Sequence, residues 1–147
     1  VRVRDEGDRI TLSYKQLNDR TLHGTKEVSV VVNDFDATCL LLQAIGFMQK
    51  SYQETKRESW ELGGAEIELD TWPWIPSFLE IEAKNEKQLK ETAQKLGLNF
   101  ADAKHGSVED AYQAVYDVTE ADIDSWTEIL FSDTPDWLDK RRIVKTS

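Results

Sequence analysis

Cysteine occurs once in this chain, at Cys39, and proline three times, and no uninterrupted apolar run approaches the ~18 residues needed to cross a bilayer. A lone thiol excludes an internal disulfide. With no signal peptide visible, a reducing cytoplasm is the expected compartment and no membrane partner is expected. Positive charge is also scarce: 18 Lys and Arg stand against 28 Asp and Glu, a formal net charge of −10 over 147 residues. That balance argues against duplex nucleic acid, whose phosphates call for a cationic surplus. The length fits one compact domain and leaves little room for a second. The first residue is Val1 rather than Met, already in an alternating pattern, which reads as a fragment that has lost its natural start.

The charge is unevenly distributed. Residues 1–104 hold 14 basic and 18 acidic side chains, whereas residues 105–139 hold ten acidic side chains and no Lys or Arg. Lys140, Arg141, Arg142 and Lys145 return positive charge at the end. The acidic surplus therefore belongs to a C-terminal segment and forbids no cationic site before it.

Period-two alternation dominates the first 83 residues. Val1–Arg4 and Arg9–Lys15 flank the turn Asp5-Glu6-Gly7-Asp8 as a hairpin, and residues 22–32 form a third strand rich in β-branched Val28, Val30, Val31 and Val32. Asp34 caps a helix that Gly46 closes. Residues 48–62 read as one long polar strand, Gly63-Gly64 as a hairpin turn with no P-loop lysine after it, and residues 65–72 as the return strand. Beyond the prolines Pro73 and Pro76, Phe78–Ala83 reads as a further strand. From Asn85 the period becomes helical, with starts at Asn85, Ser107 and Thr119; the last helix is expected to carry Ile123, Trp126 and Ile129. Six strands, an inserted helix and a helical tail indicate an α+β fold with a largely antiparallel sheet.

Charges at i and i+2 on a strand share a face, roughly 6–7 Å apart. Arg2 with Arg4, Thr11 and Ser13 with Lys15, Glu66 and Glu68 with Asp70, and Glu80 with Glu82 all follow this rule. Each pair alone reads as a solvated sheet exterior. Such strands taken together also permit a curled sheet with a charged interior. Such an interior needs a guest, because confined unpaired charges are costly. A polyphosphate with a divalent cation satisfies both signs: Arg and Lys engage phosphate oxygens, and carboxylates hold the metal.

The stretches Val1-Arg2-Val3-Arg4-Asp5-Glu6-Gly7, Ile10-Thr11-Leu12-Ser13-Tyr14-Lys15, Glu54–Trp60 and Asp70–Glu82, in that order, resemble the CYTH superfamily, the class IV adenylate cyclases and thiamine-triphosphatase-like enzymes also called triphosphate tunnel metalloenzymes. Gly106-Ser107-Val108 and Tyr112 resemble its late segment, so the likeness runs from Val1 to about Tyr116. It implies a closed antiparallel β-barrel, the triphosphate tunnel, with flanking helices and a C-terminal helical tail. By position, Arg2, Arg4, Lys15 and Arg57 match substrate-binding residues, and Lys104 is a weaker match for a late one. Glu27, Asp70, Glu80 and Glu82 match acidic positions for Mg2+ or Mn2+, with Glu80-Ile81-Glu82 as the metal-binding Glu-x-Glu. The resemblance assigns no catalytic residue. The family's opening Glu-x-Glu-x-Lys strand is absent, so residues 1–118 read as a tunnel domain lacking its first strand, and residues 119–147 as an acidic, Trp-containing helical extension.

The expected function is metal-dependent hydrolysis of a small triphosphate: inorganic tripolyphosphate, thiamine triphosphate or a nucleoside triphosphate. The alternatives are a class IV adenylate cyclase making cyclic AMP and pyrophosphate, and a module that binds triphosphate or polyphosphate without turnover. Cys39 reads as a buried helix residue with no base beside it, and His23 and His105 as isolated side chains. Trp72 and Trp74 read as packing at the barrel rim. Trp126, Phe131 and Trp137 suit packing on the chain's own barrel, contact with a basic tunnel mouth, or a second subunit, which makes a homodimer one of the expected partners.

Overall fold

Alternation and β-branching in the first fifty residues produce an antiparallel sheet in the order β1 (Arg2–Asp5), β2 (Ile10–Leu17) and β3 (Thr25–Val32), followed by helix α1 (Phe35–Ala44). This computed structural model describes residues 1–17, 25–104 and 106–144, so the expectations for His23 and His105 lie outside the described residues. The chain divides into two compact units, Val1–Lys50 and Ser51–Ser147. In the first, the β1–β2 turn closes through the Glu6 N–H donating to the Arg9 carbonyl at 2.9 Å, with Gly7 at φ +87, a conformation that costs glycine nothing. Asp34 caps α1 by accepting from the Ala37 N–H at 2.8 Å, as its position before an apolar run predicts. Cys39 sits partly buried on α1, and burial, then Asp36, pushes its thiol pKa up, which suits an inert side chain.

The second unit is built on the antiparallel sheet β5 (Lys56–Leu62), β6 (Ala65–Thr71) and β7 (Phe78–Glu82), with α2 (Glu86–Lys95) after it. A 3-10 turn (Phe100–Asp102) and the short helices α3 (Val108–Gln113), α4 (Glu120–Asp124) and α5 (Asp136–Asp139) complete it, together with a two-residue parallel pairing of β4 (Tyr52–Gln53) and β8 (Glu128–Ile129). Gly63 and Gly64 make the expected hairpin turn at φ +63 and +80.

Two expectations need correction. Residues 48–62 are not one strand: pairing stops at Gln53 and resumes at Lys56. Between them, Glu54 ties the chain to the tail, its N–H donating to the Ile129 carbonyl and its carboxylate accepting from the Phe131 N–H, each at 2.9 Å. The last expected helix is also shorter, because α4 ends at Asp124 and Ile129 enters β8 instead. The apolar spacing that resembled a helix stripe comes from side chains converging on one core: Ile75, Tyr112, Tyr116, Val118, Ile123, Trp126, Ile129 and Leu138. Trp126 packs edge-on to Tyr112 at 5.2 Å and to Trp74 at 6.1 Å between ring centroids. Tyr112 and Tyr116 donate their hydroxyls to the carbonyls of Pro73 (2.9 Å) and Trp74 (2.6 Å), which anchors Trp74 at φ +69, a conformation rare outside glycine. Trp72 and Trp74, expected at a barrel rim, pack against this core.

The fold is thus α+β with antiparallel sheets; among the described residues neither three-stranded sheet closes on itself. No helix among them is long and apolar enough to cross a membrane.

Candidate functional site

Register decides which side chains meet. In the first unit Arg2 lies opposite Ser13 and Arg4 opposite Thr11, while Ser13 lies opposite Ser29 and Thr11 opposite Val31. Directly paired residues share a face. The face therefore carries two arginines on β1, a row of hydroxyls and Lys15 on β2, and Ser29 and Val31 on β3. A cavity of about 500 Å3 opens over it, lined by Arg2, Arg4, Arg9, Lys15 and one carboxylate, Glu6, among others. Among the described residues, four cations against one anion make it a site for negative charge. The Ser13 and Ser29 hydroxyls bond each other at 2.9 Å and leave further acceptor and donor capacity toward a ligand. Glu6 stands between two guanidiniums, 2.5 Å from Arg9 Nε and 3.9 Å from Arg4, and the Glu6 hydrogen bond raises the pKa of Arg9. Lys15 pairs with Glu27 in backbone register, but the Glu27 side chain, an expected metal ligand, lies outside the described residues.

The second unit presents the opposite charge. Arg57 lies opposite Asp70, Glu68 opposite Glu80, and Glu66 opposite Glu82. The Arg57 guanidinium makes a bidentate pair with Asp70, at 2.6 Å and 2.5 Å, and also reaches Glu68 at 2.5 Å and Glu80 at 3.2 Å. Asp70 is almost wholly buried, its side chain only 4% exposed, so the pairing is obligatory for it. Glu68 Oε2 is close to Arg57 without hydrogen-bond alignment, an ion pair by distance alone. Burial first, then Asp70, raises the Glu80 pKa, while Arg57 pulls it the other way. Asp70 foremost raises the Arg57 pKa, so that guanidinium stays charged at every relevant pH.

The sequence placed these residues unevenly. Arg2, Arg4 and Lys15 line one cavity, whereas Arg57, expected with them as a substrate-binding residue, is instead ion-paired with Asp70 and Glu80, two of the expected metal ligands. Glu82 shares the acidic face but is exposed and outside the Arg57 cluster, and Lys104 is exposed and makes no ion pair with the other described residues. Glu68 was visible as the middle member of an alternating acidic run. Glu6 and Arg9 lie in a turn, where periodicity gives no signal. Carboxylate oxygens are the donors Mg2+ or Mn2+ prefer. Among the described residues, however, no three Asp, Glu, His or Cys side chains are placed to hold a metal ion, because Arg57 fills the space where Asp70, Glu68 and Glu80 converge. As arranged, these residues do not fit a cation.

The family model for the CYTH domain matches residues 1–112. Among solved structures, a conserved hypothetical protein from Pyrococcus furiosus is similar at 23% identity and a TM-score of 0.57, covering 69% of this chain and 68% of that one. The PH1012 protein from Pyrococcus horikoshii is similar at 23% identity and a TM-score of 0.55; the match covers 67% of this chain and 63% of that one, less than two thirds of its length. These likenesses show a shared fold. No curated protein matches the chain.

Proposed function

Because the chain belongs to the CYTH family, we propose that it binds a small triphosphate on the cationic face of its first unit and hydrolyses it, with sheet closure into a tunnel completing the grip. The observation that carries this reading is the cavity in which Arg2, Arg4 and Lys15 line one wall with a row of hydroxyls. Guanidinium forks match the oxygens of successive phosphoryl groups, and a lysine adds a mobile point charge. In hydrolysis a water oxygen bonds to phosphorus as the bridging P–O bond breaks in line, and negative charge moves onto the leaving phosphate. Arg2, Arg4 and Lys15 would neutralise that charge.

Family-level expectation adds Mg2+ or Mn2+, and the carboxylates held by Arg57 would have to be released before they could serve one. The same triphosphate grip would serve a class IV adenylate cyclase, and a binding module without turnover would need only the grip. Purified protein incubated with tripolyphosphate, thiamine triphosphate or ATP and either cation distinguishes them. Orthophosphate is the expected product; cyclic AMP with pyrophosphate indicates the cyclase, and tight binding with no product indicates the binding module.

A further inference from the structure

The cationic row does not end at Arg4. Along β2 the face runs from Lys15 through Ser13 and Thr11 to the hairpin turn, where Arg9 lines the same cavity. Lys15 and Arg9 are six residues apart, roughly 20 Å of strand. Arg2 and Arg4 occupy only the middle of that span. Arg9 is not needed to close its turn, since the Glu6 N–H bonds the Arg9 carbonyl at 2.9 Å and the Gly7 N–H bonds the Asp5 carboxylate at 2.8 Å. Its partnership with Glu6 is largely exposed, the Arg9 side chain at 60%, and exposed ion pairs stabilise little. Among the described residues Glu6 is the one carboxylate lining this cavity, and it lies between the guanidiniums of Arg4 and Arg9.

We propose that Arg9 is a specificity-determining residue that grips a phosphoryl group beyond the third, so that linear inorganic polyphosphates longer than triphosphate are preferred, with Glu6 as the internal anion they displace. A triphosphate seated on Arg2 and Arg4 leaves the Glu6–Arg9 pair closed. A longer chain reaches the turn, replaces the carboxylate with a phosphate oxygen, and gains a charge-assisted bond. This rests on the triphosphate-binding reading for the middle of the row.

The test is calorimetric titration of metal-free protein with inorganic tripolyphosphate and with linear tetrapolyphosphate, for wild type, R9Q and E6Q. Both variants alter exposed turn residues, and far-UV circular dichroism checks that they fold. Wild type should bind tetrapolyphosphate about tenfold more tightly than tripolyphosphate, R9Q should bring the two affinities together, and E6Q should tighten tetrapolyphosphate more than tripolyphosphate. Equal affinities in wild type, or a preference that survives in R9Q, overturn Arg9's role; no gain in tetrapolyphosphate affinity over tripolyphosphate in E6Q overturns that of Glu6 as competitor. Failure of tripolyphosphate to bind unmodified protein removes the underlying triphosphate reading instead, so the two failures are told apart.

Discussion

At Arg57 one guanidinium answers three carboxylates, and the most buried of them, Asp70, pairs with no other cation among the described residues. R57Q leaves Asp70 buried and uncompensated. The expected loss is about 2–3 kcal/mol in denaturant unfolding, below the full cost of breaking a buried pair because Arg57 itself is partly exposed. A midpoint equal to wild type would show the cluster to be solvated. Asp122 works differently. The Thr119 backbone N–H foremost, then the Thr119 hydroxyl and Arg141, lower its pKa from 3.8 to about 2. An acid with a depressed folded pKa favours the folded state while ionised, so this contribution is present above about pH 4 and drains away as pH falls toward 2. D122N should flatten that acid limb, read from denaturant midpoints at successive pH values; a limb of unchanged slope would contradict the assignment.

Among the elements, the hairpin strands were legible because alternation and register are local: once Arg2 and Arg4 share a face, the turn fixes which residues of β2 oppose them. Capped helix starts at Asp34, Asn85 and Thr119 were legible for the same reason. The β4–β8 pair was not, since two residues at each end of a long connection carry no periodic signal and owe their pairing to the core around Trp126. The Arg57 cluster was half legible: its members stood out as charges, but their convergence required the β5–β6–β7 register. The C-terminal segment illustrates the consequence. Ile123, Trp126, Ile129 and Leu138 are buried with Tyr112 and Tyr116. Arg141 Nε also donates to the Asp117 carbonyl at 2.6 Å. Truncation before Thr119 should therefore abolish cooperative unfolding of the second unit and expose tryptophan fluorescence to quencher; a sharp, unshifted melt would make the segment a dispensable appendage.

For the whole molecule, the net charge of −10 conceals a division of labour. The first unit offers a cationic cavity, the second an acidic sheet face neutralised in part by Arg57, and the ten acids of residues 105–139 lie apart from the cationic cavity in sequence. An anionic ligand is compatible with an acidic protein because local potential, not the total, governs binding. On this reading the Arg2–Arg4–Lys15 face grips a triphosphate. Titration of tripolyphosphate into wild type and R4Q at fixed ionic strength tests it most directly. Wild type should bind saturably and R4Q at least about tenfold more weakly, the scale of one charge-assisted pair; equal affinities in the two proteins would rule out a grip by this face.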